Sequence, residues 1–300
     1  MDQERRQDGL HPARELSEGR WPQRLVLRLG DGYETSVFVH RRNVPAPHPP
    51  VLYVHGIQSH PGWFAGSAAA LADEGYEVYQ VTRRGSGDNE VDRGHADSAD
   101  QLLDDVEAAC RFVLARGGAR RLHLVGVSWG GKLLAVFAAG RTPQPRIASL
   151  TLLTPGIVPR VDVATGTKLA VAVCLAVAPR RLFDIPLNDV GLFTDNEAMR
   201  RYLRDDPLSL HRATARFLCA SRRLDGIIRR APAGAISAPT TLVLASRDRI
   251  IRNAPTRAIV DRLTAGKAVV AELQGAHTLE FESDPGPLYR TLAAAAARGA

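Results

Sequence analysis

Residues 121–131 read RLHLVGVSWGG and place a single serine, Ser128, between a β-rich run and a helix-like run. The first half is a short, continuous apolar stretch, which is typical of a strand buried on both faces. The run WGGKLLAVFAAG, at 129–140, follows with a helical composition. Gly126 and Gly130 flank the serine, so the chain can turn sharply there without a collision of side chains. The stretch therefore predicts a strand, a tight turn that carries Ser128, and a helix.

The same alternation of strand and helix continues on both sides of this turn. Gly30 and Gly32 separate two β-rich runs and predict an antiparallel hairpin before the alternation begins. Further strands are predicted at 51–56, 76–85, 148–156, 240–246 and 267–273, with helices at 64–75, 97–115, 254–264 and the Ala-rich C-terminal end. This order indicates the α/β class, with a mostly parallel sheet flanked by helices.

The alternation stops at Gly156 and resumes near Thr240. Residues 157–237 contain helical segments and loops without a convincing buried strand, so they are predicted to be an insertion over the sheet. The division of the chain is then a polar N-terminal tail at 1–20, a core at 21–156 and 238–300, and the inserted segment at 157–237.

The charge of the chain is positive, with 39 Lys and Arg residues against 32 Asp and Glu residues and a net charge of +7. A basic protein can bind nucleic acid, an anionic membrane surface or an acidic substrate. The arginines are scattered or paired, however, and form no dense run or nucleic-acid motif. No nucleic-acid partner is therefore expected.

The three cysteines, Cys110, Cys174 and Cys219, are widely spaced. This number and spacing favour neither a disulfide framework nor a zinc site, and they indicate a reducing compartment. The first twenty residues are charged and lack the apolar stretch of a signal peptide. The most apolar run, 169–178, is too short to span a membrane. A cytoplasmic protein without a metal or cofactor is expected.

Ser128 requires a base, because a serine hydroxyl is a poor nucleophile at neutral pH. On a strand–turn–helix of this kind the partners follow in the order serine, acid, histidine. Asp248 follows the predicted strand 240–246, and of the nine histidines only His277 comes after it. Asp225 and Asp261 are alternative acids, although the first falls in the insertion and the second in a predicted helix.

Backbone N–H groups are expected to complete the site by binding the oxyanion of the reaction. One donor is the amide of Trp129, directly after the serine. The other lies in the loop after the strand 51–54, where Ile57 is the first choice and Gln58 the second. His55, in the same loop, is interpreted as a residue that orders the loop and not as a catalytic base.

The chain resembles the α/β-hydrolase superfamily and, within it, the monoacylglycerol lipase, lysophospholipase and serine aminopeptidase-like branch. The matching stretches run in the family's order over residues 51–285: VLYVHGIQSHPGWF, YEVYQVTRRGSGDN, LVGVSWGGKLLA, LVLASRDRII and GAHTLEFE. The resemblance implies the α/β-hydrolase fold, a Ser128–Asp248–His277 triad, and a helical cap at 157–237 between core strands six and seven. Trp129 departs from the Met, Leu or Gln more usual in this branch. A Trp there is familiar in proline iminopeptidases. The His-Gly-Gly-Pro-Gly loop of those enzymes is absent from this sequence, however, which weighs against peptidase activity.

The function expected from this resemblance is cleavage of a carboxylic ester, such as an acylglycerol or lysophospholipid, through an acyl-serine intermediate. A thioesterase or acyltransferase is the alternative enzyme, and a catalytically idle scaffold is the alternative outside enzymes. The apolar run within 168–183 is flanked by cations and could line an acyl pocket, transiently contact a membrane surface, or simply pack on the core as a helix. For the first of these roles, Leu169, Val173 and Val177 are the residues expected to face Ser128. The sequence sets no oligomeric state.

Overall fold

A computed structural model describes residues 22–42, 48–140 and 146–299. The polar tail predicted at 1–20 lies outside the described residues. The first part of the chain contains six strands and three α-helices in the described ranges: β1 (Gln23–Arg28), β2 (Glu34–His40), β3 (Val51–Val54), α1 (Ala65–Asp73), β4 (Val78–Val81), α2 (Ala99–Gly117), β5 (Arg121–Val127), α3 (Trp129–Gly140) and β6 (Arg146–Leu153). A short 3-10 helix, Pro61–Phe64, precedes α1.

The chain then forms a segment apart from the main sheet, with α4 (Thr165–Val177), β7 (Leu182–Asp184), α5 (Glu197–Asp205), β8 (Arg212–Thr214) and α6 (Ala215–Arg230). β7 and β8 pair only with each other, as an antiparallel ribbon. The chain returns to the main sheet with β9 (Thr240–Ala245), α7 (Asn253–Leu263), β10 (Val269–Leu273) and α8 (Gly286–Ala297). Residues 157–237 thus leave the sheet after its sixth strand and return at its seventh.

The main sheet has eight strands in the order β1-β2-β4-β3-β5-β6-β9-β10. β1 and β2 form the predicted antiparallel hairpin, and β2 also pairs antiparallel with β4. The remaining neighbours are parallel. The prediction of a mostly parallel α/β sheet flanked by helices is confirmed.

Burial explains why these segments fold as they do. Every residue of β3, β4 and β9 is buried, as expected of strands covered on both faces. On α2 the apolar residues that recur at the helical period form one buried face: Leu102, Leu103, Val106, Ala109, Cys110 and Val113. The Ser98 side chain accepts a hydrogen bond from the amide of Gln101 at the start of this helix, and Gly118 ends it with a φ of +58°.

The register of the parallel strands brings two loops together at one edge of the sheet. Val54, the last residue of β3, is opposite Gly126 near the end of β5. The loop that begins at His55 therefore lies beside the turn that carries Ser128. In the described parts of the chain, no helix is both long and apolar enough to cross a membrane.

Candidate active site

The turn between β5 and α3 holds Ser128 in a left-handed conformation, with a φ of +50°. Few residues other than glycine adopt this conformation without support from their surroundings. The amide of Ser128 donates to the Leu153 carbonyl at 2.9 Å, and its carbonyl accepts from the amides of Lys132 and Gly156 at 3.0 and 2.8 Å. These bonds fix the turn and expose the hydroxyl beyond the end of the sheet.

The glycines on either side of the serine are required by close backbone contacts. A Cβ atom on Gly126 would lie 2.8 Å from the carbonyl oxygen of Gly130. A Cβ atom on Gly130 would overlap the carbonyl oxygens of Val54 and His55. The prediction that side chains would collide at these positions is confirmed.

Ser128, His277 and Asp248 lie in one line of hydrogen bonds. The Ser128 hydroxyl lies 2.9 Å from Nε2 of His277, and Nδ1 of His277 lies 2.8 Å from Oδ2 of Asp248. His277 and Asp248 are both buried. With Nδ1–H donating to the carboxylate, Nε2 is free to accept the serine proton. The structure thus brings together the three residues that the sequence singles out.

These three side chains follow three parallel strands of the sheet. Ser128 follows β5, Asp248 follows β9, and His277 follows β10. Ligands of open α/β sheets bind beyond this edge. Of the alternative acids, Asp225 is bonded to Lys132 at 2.9 Å, and Asp261 forms a surface ion pair with Arg257. Neither of them is the residue bonded to the histidine.

Asp248 uses both oxygens of its carboxylate. Oδ2 faces His277, while Oδ1 accepts from the amides of Ile250 and Ile251 at 2.8 and 2.9 Å. Burial raises the pKa of Asp248, but the charge and hydrogen bond of His277, together with the two amides, outweigh it and leave the pKa below its ordinary value. The carboxylate is therefore ionised at neutral pH.

The loop after β3 lies against the serine. A Cβ atom on Gly56 would be 3.3 Å from the Cβ of Ser128, and Ile57 borders the same cavity as Ser128 and Trp129. His55 is buried and contacts this loop through the Gly56 carbonyl, 3.0 Å from Nδ1. The expected donor residues are therefore placed next to the serine, and their part in binding an oxyanion stays a prediction.

A cavity of about 380 Å³ opens above Ser128. Its size is in the range of small-molecule sites. The core and residues 157–237 both contribute to its walls. The apolar side chains that border it include Ile57, Val161, Val163, Val171, Leu175, Ile185, Leu187, Leu218, Ile250 and Ile251.

Comparison with known proteins assigns the family. A family model for serine aminopeptidases of the S33 type matches residues 45–284, four fifths of the chain. The chain belongs to this hydrolase family. The resemblance to the α/β-hydrolase superfamily and to the branch that includes these enzymes is confirmed. A search of curated proteins found no match.

Solved structures of the same fold include two lipases. Monoglyceride lipase from Saccharomyces cerevisiae, a soluble variant bound to a substrate analogue, is 16% identical with a TM-score of 0.83, over 97% of this chain and 98% of that one. Monoacylglycerol lipase from Paleococcus ferrophilus is 18% identical with a TM-score of 0.76, over 89% and 100%. A thioesterase domain from the curacin biosynthetic pathway is 18% identical with a TM-score of 0.61, over 90% and 98%. At these identities the likeness shows the fold.

The sequence-based choice of residues on α4 is wrong. Leu169, Val173 and Val177 are 69%, 56% and 75% exposed and do not border the cavity. Val171 and Leu175, on another side of the helix, border it instead. The run is apolar at nearly every position, so its periodicity does not identify the inner face. Contact of the exposed side chains with a membrane surface stays a prediction.

A polar cluster in the cavity is a feature that the sequence analysis missed. Lys132, one helical turn after Ser128, is buried and bonded to Asp225 at 2.9 Å and to the Ser221 hydroxyl at 3.0 Å. The Trp129 indole N–H donates to the same hydroxyl at 2.9 Å. The only signal in the sequence was a lysine in the predicted helix, one turn after the serine. In the described residues, no group of three or more His, Cys, Asp or Glu side chains could hold a metal ion.

Proposed function

We propose that this protein is a serine hydrolase that cleaves a carboxylic acyl ester through an acyl-serine intermediate, with Ser128 as nucleophile, His277 as general base and Asp248 as the orienting acid. The observation that carries the proposal is the pair of hydrogen bonds from Ser128 to His277 and from His277 to Asp248, at 2.9 and 2.8 Å, under an apolar cavity. A nucleophile bonded to a base that a third group orients is the general signature of nucleophilic catalysis.

The reaction begins when the Ser128 oxygen attacks the acyl carbonyl carbon while its proton passes to Nε2 of His277. The carbonyl oxygen becomes an oxyanion and accepts from the amides of Ile57 and Trp129. Asp248 holds the ring orientation and stabilises the imidazolium. Collapse of the intermediate breaks the ester bond, and the leaving alcohol takes the proton from His277. Water then repeats these steps on the acyl-serine and releases the acid.

The walls of the cavity favour an acyl group as the part of the substrate that binds there. Apolar side chains from the core and from residues 157–237 form most of the cavity wall, and the cluster of Lys132 and Asp225 forms a polar part of it. Each methylene buried in such a pocket contributes roughly 1 kcal/mol to binding. The names of the lipase structures with the same fold agree with an acylglycerol or a similar lipid ester.

An aminopeptidase activity, which the family description includes, receives less support. Recognition of a substrate's terminal ammonium group calls for a carboxylate that is free to bind it. The two aspartates that border the cavity are already in ion pairs, Asp162 with Lys168 at 2.5 Å and Asp225 with Lys132 at 2.9 Å.

The test is the Ser128→Ala variant, treated with a fluorophosphonate probe and assayed on p-nitrophenyl esters and monoacylglycerols. The variant should lose labelling and hydrolysis. Its melting temperature should stay the same, because only one hydroxyl is removed at a turn that alanine can occupy. Loss of about 10⁴-fold or more in kcat is expected, since the serine acts in one unit with its base. Full labelling of the variant would exclude Ser128 as the nucleophile.

A thioesterase is the second candidate, because the acyl-serine intermediate is the same and the curacin thioesterase domain shares the fold. Acyl-coenzyme A substrates of matched chain length separate the two functions. A kcat/KM tenfold higher for thioesters than for esters would favour the thioesterase. A wild-type protein that neither reacts with the probe nor turns over any member of the panel would be a catalytically idle scaffold.

A further inference from the structure

Arg83, just after β4, is a buried arginine that holds the loop between β3 and α1. Only 5% of the residue is exposed. Its Nε and Nη2 atoms donate to the Gly56 carbonyl at 3.2 and 2.7 Å, and Nη2 also donates to the Ile57 carbonyl at 2.8 Å. A planar guanidinium with several donors suits such a forked contact, which a lysine cannot reproduce.

These two carbonyls belong to the peptide units whose amides are the candidate oxyanion donors. In a trans peptide the C=O and N–H groups point in opposite directions. Holding the Gly56 carbonyl fixes the direction of the Ile57 N–H, and holding the Ile57 carbonyl fixes that of the Gln58 N–H. Arg83 thus sets the orientation of both candidates, whichever of them binds the oxyanion.

The same guanidinium contacts the residue that supplies the other donor. Its central carbon lies 4.7 Å from the ring centroid of Trp129, within the range of a cation–π contact. Trp129 is also stacked on Phe217, with ring centroids 5.3 Å apart. One buried side chain therefore connects the loop after β3 with the start of α3, the two segments that face Ser128.

His55 strengthens this arrangement from the other side. The Arg83 backbone amide donates to Nε2 of His55 at 3.0 Å, so the ring proton resides on Nδ1 and donates to the Gly56 carbonyl at 3.0 Å. Burial, followed by the charges of Arg83 and His60, lowers the pKa of His55 well below its ordinary value. The ring is neutral, and the Gly56 carbonyl accepts from both side chains.

The charge of Arg83 has no carboxylate partner among the described residues, and its Nη1 atom is buried without a hydrogen bond. Burial lowers the pKa of Arg83 to about 9, so the group is still protonated at neutral pH. Leaving a buried cation unpaired costs stability. The neighbouring Arg84, by contrast, is paired with Asp105 and Asp31 at 2.8 and 2.9 Å.

We propose that Arg83 is the positioning residue of the oxyanion hole: it holds the Ile57 amide toward Ser128, packs on the Trp129 ring, and places an unpaired positive charge beside both donor segments. This inference rests on the proposed function. A site that is organised before the substrate arrives pays no reorganisation cost when the negative charge forms. The unpaired cation lowers the stability of the fold, but its charge stabilises the oxyanion in the transition state.

The experiment compares Arg83→Met with Arg84→Met. Methionine fills a similar volume but donates no hydrogen bond and carries no charge. Arg83→Met should lower kcat by about 10²-fold or more, in the range of a lost oxyanion donor, with KM for the ester changed less than threefold. Arg84→Met should keep kcat within twofold, because Arg84 contacts Asp31, Asp105 and Tyr33 and does not border the cavity.

An alkyl boronic acid separates a positioning role from a structural one. The Ser128 oxygen adds to boron with its proton passing to His277, and the tetrahedral adduct carries the negative charge of the transition state without losing a group. Its affinity should fall in Arg83→Met by the same factor as kcat/KM, while the affinity of the neutral alcohol of the same chain length stays within twofold. Arg83→Lys keeps the charge without the forked contact, and its kcat should be about tenfold lower than that of the wild type. This variant tests the inference even where the methionine variant does not fold.

A folded Arg83→Met or Arg83→Lys with kcat within twofold of wild type would overturn the inference, and so would an equal loss of affinity for the boronic acid and the alcohol. The fluorophosphonate probe keeps this failure apart from that of the proposed function. Labelling of wild-type Ser128 together with unchanged rates in the Arg83 variants would refute only the positioning role. Absence of labelling in the wild type would refute the proposed hydrolase itself.

Discussion

Asp248 has fixed contacts on both sides of its carboxylate. One oxygen faces His277 and the other accepts two backbone amides, so the side chain cannot rotate without losing three hydrogen bonds. Its pKa lies below the ordinary value although burial alone would raise it. The carboxylate therefore stays charged as the pH falls through the range where a free aspartate begins to titrate.

Asp248→Asn is expected to lower kcat by about 10³- to 10⁴-fold. The amide has nearly the same shape, but its NH₂ group cannot accept the Nδ1 proton, and the histidine is driven to the wrong tautomer. Asp261→Asn is the matched control, because Asp261 was an alternative acid and is on the surface with Arg257. Rates measured on a p-nitrophenyl ester decide the matter. Comparable losses in the two variants would contradict the assignment of Asp248.

The three candidate catalytic residues could be predicted because each lies within four residues of the end of a strand of the main sheet. The strand pattern and the chain order are enough to predict that Ser128, Asp248 and His277 lie at one edge of the sheet. Arg83 and Lys132 could not be found in this way. Their partners are distant in sequence, at 56–57 and at 221–225, and no local pattern encodes such a contact. Arg83 and Arg84 are adjacent, and nothing in the sequence indicates which of the two is buried without a carboxylate partner.

At the scale of elements, α4 shows where sequence periodicity stops being informative. The helix was predicted as an apolar run, but apolar residues occupy all of its sides between Leu169 and Val177. The chosen inner residues are exposed, and Leu175 borders the cavity. β7 and β8 were not predicted for a related reason, because three residues are too few to establish a period of two.

The position of α4 gives a test of substrate length. Leu175→Asp should lower kcat/KM for a long-chain p-nitrophenyl ester at least tenfold more than for the acetate, because the lost apolar contact, worth ~1–3 kcal/mol, involves only a long chain. Leu169→Asp is the control on the same helix and should leave both esters within twofold, since Leu169 is exposed. Equal losses for long and short esters in Leu175→Asp would mean that the helix supports the fold without binding the acyl group.

At the scale of the whole molecule, one buried carboxylate connects the inserted segment with the core. Asp206 follows α5, and its Oδ2 accepts from Nε2 of His60 at 3.0 Å, the indole of Trp63 at 2.8 Å and the hydroxyl of Ser209 at 2.7 Å. His60 and Trp63 belong to the segment between β3 and α1, directly after the loop that holds Ile57. The same segment therefore meets both the candidate oxyanion site and the insertion.

This contact has a defined dependence on pH. Burial raises the pKa of Asp206, but the hydrogen bond and charge of His60 and the bonds from Trp63 and Ser209 outweigh it and lower the pKa to about 2. Because the folded pKa is below the ordinary value of 3.8, the charged carboxylate stabilises the fold above about pH 4. That contribution, about 2 kcal/mol, is lost as the pH falls from 4 toward 2.

Asp206→Asn should therefore lower the free energy of unfolding by about 2–4 kcal/mol at neutral pH, since a buried charge with several donors is removed. Asp205→Asn is the control one residue earlier and should change it by less than about 0.5 kcal/mol, because Asp205 is exposed. Urea unfolding of wild type and both variants between pH 7 and pH 3 gives the comparison. The difference between wild type and Asp206→Asn should be constant above about pH 5 and shrink below pH 4. A difference that is independent of pH would show that the lost hydrogen-bond geometry, and not the charge of Asp206, connects the insertion to the core.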